Sequence, residues 1–221
     1  MKNLLILVLT LFTITASAYV VPVYRDLKPA TQVMLEKQDF GLLAAASTGY
    51  VKVAGYAGAT SAAAVTLTSF LAQPDAPRNL VITPGTSTGD VAACTIVVNG
   101  TNIYGRAISE NFVFADDASS AVTGAKAFKT VTSVVFPANC EDGGFTATWA
   151  IGIGEKIGLK NCMAYAGDWA WSTVGGAYEA TRATMAVNAS AVESNTADFN
   201  GTMNGSNRFM GYFIQNFVCK P

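Results

Sequence analysis

The chain has 221 residues, enough for one large β domain or two small ones. Charged residues make up only 13% and the formal net charge is -1, so the chain lacks the basic field that draws nucleic acid or an anionic membrane. It contains no histidine, which removes the Ser-His-acid and Cys-His arrangements and takes the best ligand from the common zinc sites. What remains is rich in Ala, Val, Gly, Ser and Thr, a balance that favours pleated strands joined by tight turns over amphipathic helices.

Residues 1–18 read as a secretory signal peptide. Lys2 supplies a positive start, Leu4 to Ile14 an apolar run too short for an ordinary membrane span, and Ala16-Ser17-Ala18 a small-residue cleavage pattern before Tyr19. The other reading is a retained hydrophobic arm. The mature chain is expected to be soluble, with no membrane contact.

Residues 19–73 form an expected N-terminal arm. Tyr19 to Leu27 is extended, and Pro29 to Phe40 carries a helical pattern with Val33, Met34 and Leu35, Pro29 suiting a first helical turn. A short helix is predicted there. Residues 42–72 are rich in Ala, Gly, Ser and Thr, with strand-like alternation at Val65-Thr66-Leu67-Thr68.

From 74 to 221 short alternating segments are separated by turn residues, the pattern of a β-sandwich or barrel. Strands are predicted at Asn79–Thr83, Cys94–Val98, Ile108–Ala115, Lys129–Phe136, Phe145–Ile153, Tyr178–Val187 and Phe209–Val218. Turns are predicted at Pro84-Gly85, Asn99-Gly100, Asp116-Asp117, Asp142-Gly143-Gly144, Gly175-Gly176 and Asn200-Gly201. No helix of normal length fits between them, which argues against a parallel βαβ fold. The expected class is all-β: an antiparallel sandwich or barrel-like domain preceded by a short helix and arm.

Reactive groupings fail one by one. Gly85-Thr86-Ser87-Thr88-Gly89 matches the hydrolase elbow but has no histidine to take the serine proton, so it reads as a loop. Gly124 to Thr130 has Phe128 where a phosphate cradle needs Gly, and Gly152-Ile153-Gly154 has Ile157 at the third glycine of a dinucleotide fingerprint, so both read as turns. Asp116-Asp117 and Glu141-Asp142 read as solvated turn acids, with calcium as a minority reading. No catalytic residue, cofactor or metal site is expected.

Two groups remain. Tyr165, Trp169 and Trp171 lie in a Gly- and Ala-rich stretch, where they either pack or meet a partner or a sugar ring. Cys94, Cys140, Cys162 and Cys219 contain no Cys-x-x-Cys pair, and disulfides are expected if the chain is exported, in any of three connectivities. Asn99, Asn188, Asn200 and Asn204 each begin a glycosylation sequon but read more simply as turns and strand edges.

A resemblance rests on five phrases in order: Pro74 to Leu80; Gly100-Thr101-Asn102-Ile103-Tyr104-Gly105 leading to Glu110; Gly124 to Val131; Gly154-Glu155-Lys156-Ile157-Gly158-Leu159; and Val192-Glu193-Ser194-Asn195-Thr196 through Gly205. Together they resemble virion structural proteins of tailed bacteriophages. The resemblance implies a non-enzymatic β-rich protein that decorates or stabilises the capsid, self-associates, and has capsid or tail subunits as partners. The export signal and the cysteines depart from that pattern, so the expected location is the virion, or the extracellular space if the signal is used. The rival expectation is an exported adhesin or carbohydrate-binding module.

Overall fold

The computed structural model describes residues 34–57, 63–85, 91–141, 147–214 and 217–219. The predicted signal segment, the arm as far as residue 33, residues 86–89 of the Gly-Thr-Ser-Thr-Gly run and the Asp142-Gly143-Gly144 turn lie outside the described residues.

The chain is all-β and antiparallel, with sheets that include a curled half-barrel. In chain order the strands are β1 (Leu35–Leu42), β2 (Ser47–Ala57), β3 (Val65–Leu67), β4 (Arg78–Pro84), β5 (Cys94–Thr101), β6 (Ala107–Phe114), β7 (Val122–Thr123), β8 (Thr130–Phe136), β9 (Thr148–Gly158), β10 (Cys162–Met163), β11 (Trp169–Val174), β12 (Ala177–Tyr178), β13 (Thr184–Ala186), β14 (Thr196–Asp198), β15 (Arg208–Ile214) and β16 (Phe217–Cys219). Helical structure among the described residues is confined to two single 3₁₀ turns, Ala166–Asp168 and Val192–Ser194.

Strand β9 is the spine. It pairs with β4 along most of its length on one side, and with β2 and then β14 on the other. Flanked on both sides, it is buried from Trp149 to Gly154, and its sequence runs apolar without strict alternation. Gly152 and Gly154, predicted as a turn, lie inside this strand. Gly152 is there because β2 crosses so closely that a Cβ would sit 1.7 Å from the Ser47 carbonyl oxygen.

A second sheet has the order β3-β8-β5-β6 and a third the order β1-β15-β11-β12; β10 and β16 form a two-stranded ribbon. Asn99-Gly100, also predicted as a turn, is strand: it lies within β5, between β6 and β8. The Gly175-Gly176 turn is present, both glycines at positive φ, closing the β11–β12 hairpin.

Two apolar cores result among the described residues. The first gathers Leu80, Ile82, Ile96, Val98, Phe112, Phe128 and Ile151 around Trp149, whose indole meets Phe114 edge-on at 4.9 Å and Phe136 at 5.9 Å. The second, under the β1-β15-β11-β12 sheet, gathers Leu43, Phe199, Phe209 and Phe213 around Trp169. Trp169 stacks on Phe213 at 6.1 Å and meets Phe199 edge-on at 5.7 Å. Strand β15 passes this indole at Gly211, where a Cβ would lie 2.0 Å from the ring.

The predicted helix over Pro29–Phe40 is corrected from residue 35 onward, where the chain is strand β1. The cause is an inward face that begins with polar residues. Gln38 is buried, accepting from the Lys160 N–H at 3.1 Å and donating to the Gly158 carbonyl at 3.4 Å, while Phe40 packs on the second core. Glu36 pairs with Lys160 on the same face. Alternation is present, but hydrophobicity does not display it.

Candidate functional site

The three aromatics singled out in the sequence do not act together. Trp169 has 0% exposure and anchors the second core, so its candidacy as a surface contact is corrected. The signal that hid this was its neighbourhood: a Gly- and Ala-rich stretch reads as loop, whereas it forms a 3₁₀ turn feeding β11. Tyr165, just before that turn, is 68% exposed. Trp171 is half-buried on the outward face of β11 and stacks on Tyr212 of β15, ring centroids 4.9 Å apart and planes 18° from parallel.

Pairing extends this face. Lys37 of β1 lies opposite Tyr212, which lies opposite Trp171; Asp39 lies opposite Met210, which lies opposite Thr173, which lies opposite Tyr178. Because side chains alternate along a strand, these residues share the solvent side of the sheet. Leu35, 51% exposed, and Tyr178, 47% exposed, mark its two ends. Arg208 clamps the edge strand, its guanidinium donating to both Asp39 carboxylate oxygens at 2.5 to 3.0 Å. That pairing holds the Asp39 carboxyl below its ordinary pKa.

The five phrases behind the phage resemblance converge between the two cores. Arg78, of the first phrase, has 0% exposure. It donates to the Gly154 carbonyl at 2.9 Å, to the Ala44 carbonyl at 2.8 Å and to Asp75 at 3.2 Å, and its guanidinium touches the Met203 sulfur at 3.3 Å. Burial pulls the Arg78 pKa down, opposed by the Asp75 charge. Asn79, also buried, donates to the Gly124 carbonyl at 3.1 Å and accepts from the Lys156 N–H at 2.9 Å.

Backbone bonds close the node. Arg78 and Phe128 exchange a pair at 3.1 and 2.8 Å, Gly158 donates to the Pro77 carbonyl at 2.8 Å, and Lys129 donates to the Thr101 carbonyl at 2.8 Å. Ala127 donates to the Glu193 carbonyl at 2.7 Å and Leu159 to that of Asn195 at 2.9 Å. Asn195 has 0% exposure, and its side-chain oxygen accepts from the Met163 and Asn188 N–H groups, both at 3.0 Å. Every phrase contributes at least one partner, so together the phrases fasten the two cores. Sequence reading missed Arg78 and Asn195 as central residues, since polar residues beside prolines and turns look solvated.

Glu141, expected as a solvated turn acid, is buried at 7% exposure, and burial raises its pKa. Asp116 and Asp117 are exposed in a turn, as expected, with Asp117 at φ 58°. No group of three or more His, Cys, Asp or Glu able to hold a metal occurs among the described residues.

Of the open cysteine connectivities, one pair is fixed: Cys94 and Cys140 are disulfide-bonded. Cys162 is also disulfide-bonded, and in the β10–β16 ribbon it stands opposite Cys219. No family model, curated protein or solved structure matches this chain.

Proposed function

We propose that this chain is a non-enzymatic structural protein of a virus particle, of the kind that decorates and stabilises the capsid of a tailed bacteriophage, and that it docks on neighbouring subunits through exposed sheet surfaces. One observation carries the reading. All five phrases that resemble phage virion proteins serve the fastening between the two cores. A likeness confined to reactive residues would speak for shared chemistry; a likeness confined to a fastening speaks for a shared scaffold. The outward face of the β1-β15-β11-β12 sheet supplies a surface of the right character, with an aromatic stack flanked by polar and charged side chains.

Sedimentation of purified full-length chain with and without particles, followed by mass spectrometry of the particle fraction, tests the proposal. Association that weakens about tenfold in a Trp171→Ala/Tyr212→Ala variant is the expected result. A strictly monomeric chain absent from particles overturns it. If that chain instead binds a glycan array through Trp171, the exported carbohydrate-binding reading takes its place.

A further inference from the structure

The chain contains three Asn-Gly pairs, Asn99-Gly100, Asn200-Gly201 and Asn204-Gly205. This dipeptide is the one most prone to spontaneous deamidation. The backbone nitrogen of the glycine attacks the asparagine side-chain carbonyl and loses its proton, ammonia leaves, and a five-membered succinimide forms; water then opens the ring to aspartate or isoaspartate. No co-reactant but water is required. The step needs a glycine nitrogen that is unengaged and an amide carbon free to swing over it.

Each pair is denied those conditions in its own way. Asn99-Gly100 is held extended inside β5 between two neighbouring strands, and the Asn99 amide donates to the Ser133 hydroxyl at 3.1 Å. Gly201 donates its N–H to the Glu179 carboxylate at 2.7 Å, and the Asn200 amide donates to the Thr181 and Arg182 carbonyls at 3.0 and 2.9 Å. Gly205, at φ 78°, donates its N–H to the Leu43 carbonyl at 2.7 Å, and the Asn204 side-chain oxygen accepts from the Ser206 and Asn207 N–H groups at 2.9 and 3.1 Å.

We propose that the fold suppresses deamidation at all three Asn-Gly pairs by engaging the attacking nitrogen or its target amide, and that Asn204 is the modification site from which this protection is lost first. The ranking follows from where each guard sits. Asn99 is guarded by a central strand and Asn200 by bonds on both sides of the scissile amide. Asn200 and Asn204 are both exposed, but the glycine nitrogen after Asn204 is held by one carbonyl, that of Leu43, immediately after edge strand β1. The Asp39–Arg208 clamp is one of the ties that hold β1 to the strand that begins one residue after Asn207, beside the packing of Leu43 in the second core, so loosening the clamp makes opening of the segment that carries the Leu43 carbonyl more frequent. Edge elements open locally far more often than central ones, and each opening exposes the reactive geometry.

The test is peptide mapping by mass spectrometry of the intact oxidised chain during incubation in mildly alkaline buffer, against a reduced sample in denaturant. All three pairs should convert at similar rates in the denatured sample. In the folded chain conversion at Asn204 should be slowed about tenfold or more, and conversion at Asn99 and Asn200 should be slower still. Asp39→Asn should accelerate Asn204 while leaving Asn200 unchanged. Folded-state conversion of Asn204 as fast as in denaturant, or of Asn99 or Asn200 ahead of it, overturns the proposal. Hydrogen exchange at the Gly201 and Gly205 amides gives a reading that needs no variant: free exchange at both would also overturn it.

Discussion

Arg78 carries its charge into an interior that offers it carbonyls, one carboxylate and a thioether in place of water. Desolvating a guanidinium costs several kcal/mol, and the arrangement repays this only because its N–H groups find partners in a fixed fork. Truncation therefore takes the guanidinium donors from the buried Gly154 carbonyl, the half-buried Ala44 carbonyl and the Asp75 carboxylate. Arg78→Met, close in volume, should destabilise the chain by about 3 kcal/mol, read as a lower denaturant midpoint at unchanged slope. Arg78→Lys should recover only part, since a point charge cannot serve Gly154, Ala44 and Asp75 together. A loss below about 1 kcal/mol in the Met variant would mean that the node is ornamental to stability.

At the scale of the element, β11 shows how one strand serves two purposes. Its inward Trp169 is enclosed by Phe213, Phe199 and Phe40, while its outward, half-buried Trp171 stacks on Tyr212. Trp169→Ala opens a cavity the size of an indole and should cost about 3 to 5 kcal/mol. Trp171→Ala forfeits a half-exposed stack and should cost about 1 kcal/mol. Thermal or urea unfolding of the two variants checks the difference; equal losses would contradict the assignment of the two faces. The strands legible in the sequence are those whose polarity alternates or whose ends carry turn chemistry: β3, β4, β6 and β8 fall where the pattern places them, whereas β5 and β9 run on through the expected turns at Asn99-Gly100 and Gly152-Ile153-Gly154, and the expected strand Phe209–Val218 covers β15 and β16, which belong to different sheets. β1 was hidden because Glu36 and Gln38 face inward toward Lys160 and Gly158. The predicted strand over Tyr178–Val187 is two short ones, β12 and β13, in different sheets, with Arg182 between them donating to the Ala166 and Gly167 carbonyls. Local pattern carries no record of such a long-range partner. The fastening node was illegible for the same reason: beyond the local Asp75–Arg78 pair, Asp75, Arg78 and Glu193 meet Ala44, Gly154 and Ala127 only when segments distant in sequence come together.

For the whole molecule, the two cores face different mechanical problems, and cross-links address each. The Cys94–Cys140 bond ties the start of β5 to the segment after β8, with a sequence separation of 46. Closing a loop of that length removes conformational freedom from the unfolded chain worth about 4 kcal/mol, provided the folded geometry accepts the bond without distortion. Cys140 has 0% exposure and Cys94 is half-buried, so while the first core stays closed a thiolate can approach the bond only at the Cys94 sulfur. Native chain should therefore react with mild reductant more slowly than chain in denaturant, where both sulfurs are open to attack. A Cys94→Ser/Cys140→Ser variant should lose about 4 kcal/mol yet still unfold in one transition, because the Arg78 node joins the weakened core to the one containing Met203 and Trp169. Chemical denaturation followed by both tryptophan fluorescence and far-ultraviolet circular dichroism separates the possibilities. Coincident curves shifted to lower denaturant support a coupled pair of cores. Two separated steps, with Trp149 reporting the earlier, would mean that the node fastens the cores in place without making them fold as one.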